Sequence, residues 1–117
     1  MKGWIASGAG IALVLAGALP ASAGEADVAA GRALALEVCA RCHVVAPDQP
    51  RAPILAPPAP SFADIAASPG VTAASLRKFL AEPHGASRRG GAMPPFLLPR
   101  GQVEAAVAYL VSLEPPR

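Results

Sequence analysis

The stretch Cys39-Ala40-Arg41-Cys42-His43 decides what this chain can fold around. On a helix or tight helical turn, side chains three positions apart face the same way, so the two thiols can reach both vinyl groups along one haem edge. His43 directly follows the second cysteine, and histidine serves as a proximal ligand of haem iron. The motif predicts one covalently attached haem c, bound by Cys39 and Cys42, with His43 on the iron.

Three other uses of these residues compete with haem attachment. A thioredoxin-like dithiol would lie near a βαβ pattern, which is absent from this sequence. A zinc site needs four ligands, usually as two separated pairs, but three of the four candidates (Cys39, Cys42, His43 and His84) crowd into one turn. A plain disulfide between Cys39 and Cys42 is the main remaining alternative.

Residues 1–23 have the pattern of a secretory signal peptide. Lys2 supplies the positive start, an apolar stretch runs from Ile11 to Leu19, and Ala21-Ser22-Ala23 is a small-residue cleavage site. An uncleaved membrane anchor is the alternative, but the apolar run is shorter than the roughly 20 residues that span a bilayer. We expect export to the periplasm, cleavage, and no stable membrane span afterwards.

The remaining residues, 24–117, are expected to form one domain. Removal of 23 of the 117 residues leaves 94, which is too short for a second domain. Loss of Lys2 takes the formal charge from +2 to +1. Because a nucleic-acid-binding domain usually carries a strongly basic surface, this weak charge argues against nucleic acid as a partner.

Helical patterns without any strand signal predict an all-α fold. Asp27 is a candidate cap for a first helix from Val28 to about Arg41, and Thr72 for a short helix from Ala73 to about Ala81. A last helix is expected to begin at Gly101 or Gln102 and to end before Pro115 and Pro116. The segment from Pro47 to Pro69 contains seven prolines and no helical pattern, so it is predicted to be a long loop.

The chain resembles small, single-domain, monohaem c-type cytochromes of bacteria. The resemblance rests on the Cys39–His43 motif, Gly31 eight residues before it, Ala59-Pro60-Ser61-Phe62, the Met93-Pro94 step, and Tyr109-Leu110 in the terminal helix. It implies the cytochrome c fold, with three to four helices wrapped around one haem.

The same resemblance assigns structural roles to three positions. Gly31 would lie where the first and last helices cross closely. A backbone carbonyl near Pro60 would accept the Nδ1 proton of His43 and fix the orientation of the ring. Ala35 departs from the family pattern, in which an aromatic residue is common, and a less tightly packed crossing is expected there.

Met93 is predicted to be the second axial ligand of the iron. Its thioether is a soft donor, and ligation by histidine and methionine raises the reduction potential of a c-type haem. Pro94 favours an extended conformation at Met93, and Gly90-Gly91 allow the backbone to approach the porphyrin. His84 is the competing ligand, because imidazole also binds haem iron.

With both axial positions filled by the protein, the chemistry that remains is one-electron exchange. We expect an exported electron carrier, not an enzyme, that works with unidentified redox partner proteins as a monomer or within a redox complex. Arg41, Arg88 and Arg89 are candidates for a positive rim around an exposed haem edge, and an ordinary solvated loop is the equal alternative. The alternatives are a haem-based gas-binding or sensor protein with a displaceable sixth ligand, and the cytochrome subunit of a larger oxidoreductase.

Overall fold

The computed structural model describes residues 23–82, 93–94 and 97–116. Within these ranges it contains four α-helices and no strand, so the all-α prediction with three to four helices is confirmed. None of the described helices is both long and apolar enough to cross a membrane. The helices are α1 (Ala23–Val38), α2 (Phe62–Ala67), α3 (Ala73–Ala81) and α4 (Arg100–Ser112), and a 3-10 turn (Cys39–Arg41) follows α1.

Helix α1 begins five residues before the predicted start. Asp27 therefore lies inside the helix, and the prediction that it caps the helix is wrong. The preceding Ala23, Glu25 and Ala26 are good helix formers, and an acidic residue in the first turn interacts favourably with the helix dipole. The α-helix also ends earlier than predicted, at Val38, because the backbone tightens into the 3-10 turn that carries Cys39.

The segment predicted to be a long loop contains helix α2. Ser61 caps this helix by accepting a hydrogen bond of 3.0 Å from the backbone N–H of Asp64. Six residues are too few to show a helical period, and prolines flank the segment, which explains why the pattern was not visible in the sequence. Gly70, with a φ of +81°, forms the turn that leads to α3.

Helix α3 has the predicted bounds and the predicted cap. Thr72 and Ser75 form a reciprocal capping box, in which each side chain accepts a hydrogen bond from the other residue's backbone N–H. Leu76 is buried, while Phe79 remains 46% exposed, so only part of the predicted apolar face is covered.

The crossing of α1 and α4 is the largest helix–helix interface among the described residues. Gly31 is buried at this crossing. A Cβ built on it would lie 2.8 Å from Tyr109 Cβ, 2.6 Å from the carbonyl carbon of Ala105 and closer still to its oxygen. The predicted close approach at Gly31 is confirmed. Ala35 is only 1% exposed and belongs to the hydrophobic core, and the looser packing expected there stays a prediction.

The main hydrophobic core joins the two crossed helices to the segment after the 3-10 turn. Helices α2 and α3 both pack against α4, which begins at Arg100, just before the predicted start. The core's buried members are Ala35, Val45, Ala46, Phe62, Leu76, Val103, Val107, Tyr109 and Leu110.

Candidate haem site

The two cysteines lie on one tight turn at the end of α1. The backbone N–H groups of Cys42 and His43 both donate to the carbonyl of Cys39, over 3.1 and 3.0 Å. Both thiols are partly exposed and are not bridged by a disulfide. The structure therefore brings Cys39, Cys42 and His43 together as the motif predicted, and it gives no support to the disulfide alternative.

The pKa of the Cys39 thiol is shifted in the direction opposite to that of redox-active dithiols. Burial, with a smaller contribution from the neighbouring Cys42, raises the pKa of the Cys39 thiol to about 11. Reactive cysteines in thioredoxin-like motifs instead have a lowered pKa that favours the thiolate. The shift at Cys39 is in the opposite direction and disfavours the thiolate.

His43 is oriented by the segment that contains Pro60. Its Nδ1 lies 2.7 Å from the carbonyl oxygen of Pro60. Because a carbonyl can only accept a hydrogen bond, Nδ1 carries the proton, and the lone pair of Nε2 stays available to a metal. The predicted interaction between His43 and a carbonyl near Pro60 is confirmed.

Backbone hydrogen bonds hold the two segments of this contact side by side. The N–H of Ala59 donates to the carbonyl of Cys42, and the N–H of Phe62 donates to the carbonyl of Val44, both over 2.9 Å. These bonds flank His43, which forms an isolated parallel bridge with Ala59. The proline-rich segment is therefore attached to the motif along its backbone, and this attachment places the Pro60 carbonyl opposite His43.

Met93 lies in an irregular segment and is partly buried, next to an exposed Pro94. Residues 83–92 and 95–96, on either side, lie outside the described residues. The predictions for His84, for the two glycines before Met93, and for Arg88 and Arg89 fall in this range. The sixth ligand is therefore still a prediction.

The described residues fit a covalently attached haem. Two adjacent unbridged thiols match the two thioether bonds, and an imidazole with a free Nε2 matches an axial ligand. Apolar side chains that an apolar cofactor would cover lie exposed beside the turn: Val44 is 38% exposed and Ile54 is 74% exposed. The backbone N–H of Ile54 donates to the carbonyl of Arg41 inside the motif, over 2.9 Å.

The described ranges contain no group of three or more His, Cys, Asp or Glu side chains placed to hold a bare metal ion. A closed zinc site, the alternative considered from the sequence, therefore finds no support in the part of the chain that the structure describes.

Two residues near the site have roles that the sequence interpretation missed. The hydroxyl of Tyr109 donates to the carbonyl of Val45 over 2.7 Å, and the side-chain oxygen of Gln49 accepts from the N–H of Val45, also over 2.7 Å. A buried tyrosine usually needs a hydrogen-bond partner, so a tyrosine in a helix that packs against the core indicated such a bond in advance. No pattern in the sequence marked the role of Gln49.

Comparison with known proteins agrees with this geometry. The family model described as "Cytochrome c" matches residues 28–114. A protein named cytochrome c-552 from Bradyrhizobium diazoefficiens is 39% identical over 107 residues, which cover 91% of this chain and 94% of that protein. No solved structure matches significantly. With a family match over most of its length and the haem-binding motif inside the matched region, the chain belongs to the cytochrome c family, and its cofactor is covalently attached haem c.

Proposed function

We propose that this protein is an exported electron carrier that holds one haem c through thioethers at Cys39 and Cys42, with His43 and Met93 as the axial ligands. The bound haem supplies one-electron exchange between its ferric and ferrous states. The observation that carries the proposal is the 2.7 Å hydrogen bond from His43 Nδ1 to the carbonyl of Pro60. It leaves Nε2 as the only ring nitrogen that can bind iron.

The cysteines support this assignment by their place on the chain. Both lie on a turn that is closed by two hydrogen bonds to the Cys39 carbonyl, and His43 is the next residue. Thioether bonds at this turn would fix the cofactor relative to the histidine backbone. The same turn continues directly from α1, whose crossing with α4 is the largest helix–helix interface among the described residues.

Met93 is proposed as the sixth ligand because of its chemistry and its position. Its thioether is the soft donor that raises the reduction potential when it is paired with histidine. Met93 is partly buried, although it belongs to no helix, and Pro94 favours an extended backbone at this point.

The proposed ligation leaves the reactive groups of the site with no catalytic role. Both thiols are consumed as thioethers, one nitrogen of His43 binds iron and the other donates to Pro60. Neither a nucleophile nor a general base remains among them. We therefore propose a protein that passes electrons between redox partner proteins and is not itself an enzyme.

Export is proposed from the signal-peptide pattern in residues 1–23. Helix α1 begins at Ala23, so cleavage after this residue would leave the rest of the helix intact from Gly24 onward. The proposed location is the periplasm, where covalent haem proteins of this size can meet other exported redox proteins.

A visible spectrum of the purified holoprotein, in both oxidation states and with carbon monoxide, tests the proposal. We expect low-spin iron, a far-red charge-transfer band in the ferric state from sulfur ligation, and slow carbon monoxide binding to the ferrous state. A missing charge-transfer band would contradict the role of Met93. Rapid carbon monoxide binding would favour a sensor, and co-purification in a stable complex would favour a subunit.

A further inference from the structure

The backbone of Val45, two residues after His43, is held by side chains on both sides. Its N–H donates to Gln49 Oε1 and its carbonyl accepts from the Tyr109 hydroxyl, each over 2.7 Å. Val45 is only 2% exposed, so water cannot readily replace either partner. The backbone just beyond the proposed iron ligand is therefore held by two side chains, one from α4 and one from four residues further along the chain.

Gln49 is itself fixed in one orientation. Its Nε2 donates to the carbonyl of Arg51 over 2.7 Å, which leaves Oε1 to accept from Val45. Its backbone N–H donates to the carbonyl of Ala46 over 3.3 Å. The side-chain amide thus joins two parts of the segment that follows the haem-binding motif.

Tyr109 connects the same segment to the crossing of α1 and α4. Its ring is 4% exposed and lies 6.2 Å, centre to centre, from the ring of Phe62. Phe62 in turn makes an edge contact with the ring of His43, at a centroid distance of 5.6 Å. Tyr109 is therefore connected to the His43 segment in two ways, by its hydrogen bond to the Val45 carbonyl and by the ring contacts through Phe62.

These contacts lie on either side of the hydrogen bond between His43 and Pro60 along the chain. The bonds at Cys42 and Val44 hold the His43 segment against residues 59–62, and the bonds at Val45 hold it against α4 and Gln49. If the Val45 backbone were released, the His43 segment would lose its hydrogen bonds to Tyr109 and Gln49 and keep those to the Cys39 turn and to residues 59–62. The Nδ1–H donor would then move more freely relative to the Pro60 carbonyl.

We propose that Tyr109 and Gln49 are positioning residues for the axial ligand: by holding the backbone of Val45, they maintain the hydrogen bond from His43 to Pro60 and so set the donor strength of the imidazole. Neither residue touches the iron. The inference rests on the proposed ligation by His43. A hydrogen bond at Nδ1 makes a ligating imidazole more basic, which stabilises the ferric state and lowers the reduction potential.

Three variants of the holoprotein test this inference. Tyr109→Phe removes the hydroxyl and keeps the ring that packs on Phe62. Gln49→Ala removes the acceptor of the Val45 N–H, and Gln49 is itself partly exposed. Arg77→Gln is the control, because it removes a side-chain link between α3 and α4, of 2.8 Å to Glu104, without touching Val45. The readouts are the exchange rate of the His43 Nδ1 proton by NMR and the reduction potential.

We expect the Nδ1 proton to exchange roughly two- to tenfold faster in Tyr109→Phe and in Gln49→Ala, the range that corresponds to loss of one hydrogen bond. Their potentials should rise, while Arg77→Gln keeps both values of the wild type. If Tyr109→Phe does not fold, Gln49→Ala still decides the matter.

Wild-type exchange and potential in both variants would show that Tyr109 and Gln49 only stabilise the fold, and would overturn the inference. A wild-type protein whose spectrum shows no histidine on the iron would instead overturn the proposed function, and the inference with it.

Discussion

At the scale of single residues, the two ring nitrogens of His43 have different bonding roles. Nδ1 donates to the carbonyl of Pro60, and Nε2 is left for the proposed bond to iron. The donor and acceptor are 17 positions apart, so the backbone bonds that attach residues 59–62 to the motif determine the histidine's tautomer. Fixing the tautomer in advance reduces what must be ordered when the ligand bond forms.

The first prediction at this scale concerns haem attachment. Replacement of Cys39 or Cys42 by Ala should leave at most one thioether bond, and replacement of both should leave mostly unfolded protein, because the cofactor is expected to complete a small core. Intact mass after acid–acetone extraction and far-ultraviolet circular dichroism are the measurements. A well-folded, haem-free double variant would contradict the expectation.

The second prediction concerns the sixth ligand. Met93→Ala should open a coordination position, so that carbon monoxide binds the ferrous protein quickly, and should lower the reduction potential as the thioether is lost. Carbon monoxide kinetics and redox titration are the measurements. His84→Ala is the control and should behave as wild type. Loss of the ferric charge-transfer band in the His84 variant, with the band retained in the Met93 variant, would reverse the assignment.

At the scale of secondary-structure elements, the crossing of α1 and α4 depends on the missing side chain of Gly31. A glycine inside a helix is less favourable than alanine by about 1 kcal/mol. At Gly31 the missing side chain allows the α1 backbone to lie against Ala105 and Tyr109, where even a methyl group would clash. The closer approach in turn buries Tyr109, whose hydroxyl holds the segment after His43.

The third prediction tests this crossing. Gly31→Ala should destabilise the protein by about 1–3 kcal/mol, since the new methyl group overlaps backbone atoms that cannot rotate away. Gly101→Ala is the matched control: it lies in α4 with nothing within 4 Å of its Cβ position, and should be neutral or stabilising by up to about 1 kcal/mol. Denaturant unfolding measures both. Equal effects at the two positions would contradict a close crossing.

At the scale of the whole molecule, an ion pair connects the first helix to the segment after the haem-binding motif. One guanidinium nitrogen of Arg32 donates to both carboxylate oxygens of Asp48, each over 2.7 Å. The hydrogen bond from Arg32 holds the pKa of Asp48 below its ordinary value. The pair is solvent-exposed, so we expect its contribution to stability to be small.

The fourth prediction follows from the sign of this shift. A carboxylate whose pKa is lowered by folding stabilises the folded state above its unfolded pKa of about 4, and this contribution is lost as the pH falls through the lower, folded pKa. Asp48→Asn should therefore be less stable than wild type at pH 5–8, and the difference should shrink below about pH 4. Unfolding midpoints across pH measure it. A difference that stays constant down to pH 2 would exclude this linkage.

Local signals were the ones that could be read from the sequence. The spacing of Cys39, Cys42 and His43 defined the haem chemistry, and Thr72 marked the start of α3 because a cap acts within a few residues. The start of α1 was misplaced because Asp27 resembles a cap even where good helix formers precede it. Helix α2 was missed because six residues between prolines show no period.

The sequence by itself thus determined the cofactor and the all-α class and predicted the attachment residues, since these depend on side-chain chemistry and short spacings. Only the tertiary structure decided how His43, the proposed ligand, is held. Tyr109 lies 64 residues from Val45 and Pro60 lies 17 from His43, and no short-range pattern connects such pairs. They meet because the packing of α1 on α4, and of the proline-rich segment on the motif, buries enough apolar surface to bring distant backbone groups within hydrogen-bonding distance.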